Sequence, residues 1–599
     1  MARPLRLLPV PRSLELLGGR VRIHPAGEAR DAELAEAVLD PETELPVQGY
    51  ELLISEAELR ITASDAHGLI YGRATLDQIL RQCGPTLPTL RIRDWPDFPV
   101  RGYMLDVSRD RIPTLQSLLE WVRTLAALRI NQLQLYTEHS FAYPGHETVW
   151  RDASPLTPDE IRELDRECST HGIELVPNQN SFGHMERWLR HPAYRPLAEW
   201  PDKGGTPSCL APDEQSLAFV RSLYDALLPC FSSRTLNIGC DETFELGRGR
   251  SREECERRGR GRIYLDYVLR LIEDVHARGY SVQFWGDILR LHPELTQELP
   301  KERLIALVWG YEAPQDPDDL PSNVRAALAR YGFVPESLRG FEWGLRPYAK
   351  AGVPFYVCPG TSSWNSLVGR LDNARANLLD AAQAGLCHGA SGYLITDWGD
   401  NGHLQPPIVS LPAVAYGAAV SWCAETNENL DLEPSLPLLL PGDPGGTLAR
   451  ALVRLGSLHS TLGLAAINAS PLSLALLQPL TKPLLAWGEL ERERLDRVLA
   501  PIEEESERVR RFSPADAVTQ RARRELLQAA GLARHGAWRL GHRELGHGPP
   551  LAALDADLAR LIEEQAQVWL ESSRPGGLED SLARLHRARA DYRPDGNEP

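Results

Sequence analysis

Lysine is almost missing from this chain: only Lys203, Lys301, Lys350 and Lys482 stand among 65 basic residues. There are three methionines, and no two of the nine cysteines form a CxxC pair. An odd number of widely spaced cysteines argues against a disulfide framework and a zinc knuckle, and fits reduced thiols. No apolar run of about 18 residues occurs, so no membrane-spanning helix is expected. The opening stretch has no continuous apolar run before its prolines, which reads as no secretory leader and a cytoplasmic location. Positive charge is also in deficit: 82 acidic residues against 65 basic ones leave a net charge of −17. Such a chain repels phosphate backbones, so nucleic acid is not expected as a partner.

What is present is an ordinary globular composition, 43% hydrophobic and 25% charged, over 599 residues. That length predicts more than one domain. Residues 1–96 read as a small α+β unit. Tyr50–Ile54 and Leu59–Thr62 read as strands, and Gly68–Arg81 has helical spacing. The segment Arg93-Asp94-Trp95-Pro96-Asp97-Phe98-Pro99 marks a boundary. Residues 97–430 then carry eight short apolar runs: Gly102–Val107, Gln132–Tyr136, Ile173–Pro177, Thr235–Gly239, Ser281–Trp285, Leu304–Trp309, Pro354–Val357 and Gly392–Thr396. Amphipathic stretches such as Leu115–Leu128, Pro158–His171, Glu214–Leu228 and Ile263–Arg278 lie between them. Strand–helix alternation repeated eight times predicts a (β/α)8 barrel, an α/β fold. An open doubly wound sheet is the alternative, but no glycine-rich phosphate loop follows the first strand. Residues 431–599 turn rich in Leu, Ala, Glu and Arg and read as helices, which either buttress the barrel or form the interface of a homodimer.

In barrels of this kind, sites are built where strands end. Arg109 follows the first strand, Glu138 the second, and His184 the third. The fourth ends at Asp241-Glu242, and Trp285 and Trp309 close the fifth and sixth. Trp364-Asn365 lies beyond the seventh, and Trp398 and Asp400 beyond the eighth. Aromatic faces pack on the C–H faces of sugars while carboxylates and Arg take hydroxyls, so the set suggests a carbohydrate site. The competing reading is that the tryptophans are ordinary core. Asp241-Glu242 is the sharpest feature. Adjacent strand residues point to opposite faces, so two neighbouring carboxylates share a site only where the backbone turns. There, one raises the pKa of the other, as a general acid requires. Most Asp-Glu pairs are merely solvated; position is what distinguishes this one. His139, His184 and His403 lack the spacing of a metal site, and Cys240 has no neighbouring histidine to make it a nucleophile.

These residues resemble glycoside hydrolase family 20, the β-N-acetylhexosaminidases. Asn237-Ile238-Gly239-Cys240-Asp241-Glu242 is similar to the family's His-x-Gly-Gly-Asp-Glu motif, with Asn237 for the His and Cys240 for the second Gly. Arg101-Gly102 through Asp106 to Arg109 matches its strand-one motif. Phe182-Gly183-His184-Met185-Glu186 is closest to the branch that includes hexosaminidase D. The resemblance covers about residues 50 to 405. It implies retaining hydrolysis of terminal N-acetylhexosamine in which the substrate's 2-acetamido oxygen is the nucleophile. Glu242 is then the acid/base and Asp241 the partner of the acetamido N–H. Arg109 and Asp400 bind hydroxyls, Trp285, Trp309 and Trp398 enclose the sugar, and Glu138 and His184 support them. The family's strand-seven loop supplies a Tyr to the acetamido carbonyl, where this chain has Trp364-Asn365. The reaction needs no metal or organic cofactor. Two other readings remain at this level: a conventional retaining glycosidase with Asp287 or Asp400 as nucleophile, and a silent sugar-binding protein.

Overall fold

A computed structural model describes residues 5–23, 35–330 and 334–593. Five strands form the first sheet: β1 (Ser13–Arg22), β2 (Glu36–Leu39), β3 (Tyr50–Ile54), β4 (Leu59–Ala63) and β5 (Thr86–Asp94). Their order is β1-β5-β3-β4-β2. Helix Ala66–Cys83 covers one face and starts on Asp65, whose carboxylate accepts the Gly68 N–H.

Eight parallel strands then close a barrel: β6 (Val100–Asp106), β7 (Gln132–Thr137), β8 (Glu174–Gln179), β9 (Thr235–Asn237), β10 (Ser281–Trp285), β11 (Leu304–Trp309), β12 (Phe355–Cys358) and β13 (Gly392–Asp397). All eight apolar runs of the sequence are strands of this barrel. The helices between them begin where local chemistry dictates. Thr157 and Glu160 form a capping box with Pro158 in the first turn. Thr114 and Asp213 cap helices Leu115–Ala127 and Glu214–Leu227.

The barrel interior is polar in its middle and aromatic at its C-terminal end. Gln134, Asn178, Asn237 and Gln283 bond to one another in a buried group centred on the Gln134 amide. Met104, Tyr136, Trp285, Leu307, Tyr356, Trp364 and Trp398 form one buried cluster around it. Arg101 joins barrel and first sheet: fully buried, it lies over Tyr71 and Trp422 and donates to the Tyr71 hydroxyl. Beside it, Asp94 and Arg129 form a buried ion pair at 2.6 Å.

After Leu411–Trp422 the chain is mostly helical, with long helices Arg492–Arg511, Ala517–Leu545, Leu551–Ser572 and Leu578–Ala590. These pack back onto the barrel's loops. Arg187, after β8, bridges Asp110, after β6, to Asp580, and Ser581 bonds the Gly402 carbonyl. Among the described residues, no helix is long and apolar enough to cross a membrane.

Candidate active site

At the C-terminal ends of the strands lies a cavity of about 380 Å³, into which Arg109, Asp241, Glu242, Trp309, Trp398 and Asp400 all face. Two glycines make the turn after β9 possible. Gly239 adopts φ 68°, and a Cβ there would meet Asn180 Oδ1 at 1.8 Å. Gly183 presses on the same turn from the β8 loop, where a Cβ would meet the Asp241 carbonyl at 2.3 Å. Beyond Gly239 the chain stays left-handed at Cys240 (φ 74°) and Glu242 (φ 49°), a strained conformation for residues with side chains. That turn lets both carboxylates reach one cavity. Cys240 is fully buried, and burial raises its thiol pKa, so it is a packed thiol rather than a nucleophile.

Asp241 is buried and its Oδ1 has no hydrogen-bond partner. Its Oδ2 lies 3.3 Å from His184 Nε2, which is also 3.5 Å from Glu242 Oε2. Burial alone would lower the pKa of His184, but Asp241 and then Glu242 outweigh it and push it up to about 10. The imidazolium thus balances the paired carboxylates. Burial, with Asp241 adding its charge, raises the pKa of Glu242, although His184 opposes it. Asp287 accepts the Glu242 N–H at 3.0 Å; burial and Asp241 push its carboxyl up to about 7.

Arg109 is held by Asp106. This fully buried carboxylate accepts the N–H groups of Ser108, Arg109 and Gly399 and pairs with Arg109 Nη1 at 3.1 Å. One aspartate therefore ties the first strand end to the eighth. Asp400 Oδ1 is 3.3 Å from the same guanidinium, which lies over Trp398 and Tyr136. Glu138 stands behind: it accepts from the Tyr136 hydroxyl and lies 3.8 Å from Arg109 Nε, and burial pushes it up to about 7 against the pull of Arg109.

The tryptophans separate into two groups. Trp309 and Trp398 form cavity wall. Trp285 is fully buried beneath Trp398, at a ring distance of 5.9 Å, and its Nε1 has no partner. Trp364 is buried behind Tyr311, with its Nε1 bonded to Asn468. Asn365 is tied to Asn401 and to the Asn468 carbonyl and does not reach the cavity. His139 and His403 are buried apart from the carboxylates, each pushed down to about 3 by burial. Among the described residues, no cluster of His, Cys, Asp or Glu could hold a metal ion.

Tyr311 and Asn468 are two of the wall residues absent from the sequence reading. Tyr311, two residues past the end of β11, stacks on Trp309 and accepts the Trp398 Nε1–H at 2.8 Å. A second aromatic so close to a strand-end Trp was its only signal. Asn468 comes from the C-terminal region; its N–H donates to Glu312, which Arg370 grips with both terminal nitrogens. No local pattern marks it.

Two family models match the chain: glycosyl hydrolase family 20, domain 2, over residues 9–95, and the glycosyl hydrolase family 20 catalytic domain over residues 98–322. Hexosaminidase D of Homo sapiens is 31% identical over 235 residues, 37% of this chain and 46% of that protein. The Bos taurus hexosaminidase D is 29% identical over 215 residues, 34% of this chain and 61% of its own. The match spans about half the length of these relatives. Among solved structures, the Flavobacterium johnsoniae chitobiase aligns with a TM-score of 0.56 at 16% identity, over 97% of this chain and 98% of its own. A Streptomyces plicatus N-acetyl-beta-hexosaminidase aligns at 0.52 and 19% identity, over 76% and 95%. At such identities these two speak for the fold.

Proposed function

The chain belongs to glycosyl hydrolase family 20, whose two models together span 312 of its 599 residues, and from that premise we propose that it is an exo-acting β-N-acetylhexosaminidase working through the substrate's own acetamido group. The observation that carries this reading is Asp241 Oδ1, a buried carboxylate oxygen without a partner beside the acid Glu242. A buried acceptor left open is costly unless a ligand completes it, and an acetamido N–H supplies the missing donor.

The reaction then runs in two steps. The acetamido oxygen bonds to the anomeric carbon as the glycosidic C–O bond breaks, and Glu242 gives its proton to the departing oxygen. Asp241 holds the N–H and stabilises the positive charge that develops on the ring so formed. In the second step Glu242 takes a proton from water, which bonds to the anomeric carbon as the ring opens. The tethered nucleophile has the entropic advantage of an intramolecular reaction. Arg109 and Asp400 bind hydroxyls of the terminal sugar, and Trp309, Tyr311 and Trp398 enclose it. The Tyr311 hydroxyl, which accepts from Trp398 and retains its own proton, suits the acetamido carbonyl in place of the strand-seven Tyr of the family. Trp285 and Glu138 support this wall from behind. Nine free cysteines suit the reducing cytoplasm as the proposed location.

Neither rival nucleophile is a free carboxylate. Asp287 is pushed up to about 7 and engaged with the Glu242 N–H; Asp400 is paired with Arg109, and burial raises its pKa. The test is a matched set of aryl β-glycosides bearing either a 2-acetamido or a 2-hydroxyl group. Turnover confined to the acetamido members is expected, for N-acetylglucosamine, N-acetylgalactosamine or both. Comparable turnover of a 2-hydroxyl glycoside would overturn the reading.

A further inference from the structure

The cavity does not end at the sugar-sized space between Arg109 and Glu242. It continues past Trp309 into an annex walled by Phe244, Ile288, Leu291, Phe341 and Trp343. Phe244 comes from the loop after β9, Ile288 and Leu291 from the loop after β10, and Phe341 and Trp343 from the chain between β11 and β12. Arg109 and Asp400 follow β6 and β13. In the closed order β10-β11-β12-β13-β6-β7-β8-β9, the pair β13-β6 lies opposite β9-β10. The hydroxyl anchors and the annex therefore occupy opposite rims, with the acid Glu242 on the annex side, two residues before Phe244.

The chemistry of the annex is unlike that of the sugar side. Its one basic group, Arg290, is spent on structure: the guanidinium lies over Trp309 at 4.8 Å and Trp343 at 5.4 Å, and donates to the Trp309 carbonyl at 3.0 Å. Phe244 and Leu291 are left 48% and 46% exposed at the rim, so the apolar wall of the annex reaches solvent. A second sugar placed there would meet aromatic and aliphatic walls, with few partners for the hydroxyls at its edge, and unpaired hydroxyls cost free energy on burial.

We propose that this annex is the leaving-group subsite and that it selects N-acetylhexosaminides with a hydrophobic, non-carbohydrate aglycone of aryl or alkyl type. The inference rests on the proposed function, because it takes Glu242 to mark the glycosidic oxygen.

The experiment measures kcat/KM for β-N-acetylhexosaminides of methyl, butyl and hexyl alcohol and for the corresponding N-acetylhexosamine disaccharide, with wild type and with Leu291→Ser and Phe244→Ser. Both substituted residues are half exposed, so neither change threatens the fold. The expected result is a rise of about twofold to fourfold per buried methylene, with the disaccharide below the hexyl glycoside. The hexyl-to-methyl ratio should fall at least threefold in each variant. A flat series, a disaccharide preferred to the hexyl glycoside, or a ratio that both variants leave intact would overturn the inference while the proposed function stands. Absence of turnover for every member, the methyl glycoside included, would overturn both.

Discussion

His184 Nε2 stands 3.3 Å from Asp241 Oδ2, and this contact couples the charge of the site to pH. The folded pKa of His184, about 10, is raised above its ordinary value of 6.5. A raised pKa contributes stability that is complete below about 6.5 and is lost as pH climbs toward about 10. His184→Gln should therefore be less stable than wild type at pH 6, and the gap should close between about pH 7 and pH 10. Urea melts over that range will show it; a gap constant with pH would remove the imidazolium from the site.

Glu242→Gln should lose about 10²–10⁴-fold in rate on substrates with basic leaving groups, because the departing oxygen then has no proton donor. Aryl substrates with acidic phenols should suffer less in the first step. A leaving-group series measured on both proteins provides the check, and an equal loss along the whole series would reject Glu242 as the acid.

Asp241→Asn should lower kcat sharply, since it removes charge opposite the developing ring cation but keeps the shape. It should cost stability at pH 6, where it deprives the His184 imidazolium of its main partner, but little near pH 10. A thiazoline analogue of the cyclised intermediate should inhibit wild type competitively and lose affinity for the variant. Kinetics measured below the variant's thermal midpoint decide; an unchanged kcat in the folded variant would make Asp241 a structural group.

Asp106→Ala should act on stability first. Three backbone N–H groups and Arg109 lose their acceptor at once. We expect a loss of about 2–4 kcal/mol in urea unfolding, with activity falling because Arg109 is no longer held. Asp106→Asn keeps one acceptor and should recover part of both.

Asn468→Ala should raise KM several-fold with a smaller effect on kcat. Trp364 Nε1 loses its acceptor, and the Tyr311 ring that Trp364 braces loosens. Steady-state kinetics, read with tryptophan fluorescence, measure this. Unchanged KM would confine Asn468 to loop structure.

The sequence by itself determined the barrel and the place of the Asp241-Glu242 pair at a strand end. Strand–helix alternation is a local pattern, and Ser281–Trp285 and Leu304–Trp309 are strands at the boundaries read from it. Asp241-Glu242 was legible because a strand end is a local event. What the tertiary structure decided was direction and company. The left-handed turn at Cys240 and Glu242 depends on Asn180 and Gly183 pressing from another strand's loop, which no local pattern encodes. Trp285 and Trp364 look like Trp309 and Trp398 in sequence, yet packing puts the first two behind the wall. Asn468 reaches Trp364 across 104 residues of chain. Periodicity reports which face of an element is apolar; it is silent on which distant side chain arrives there.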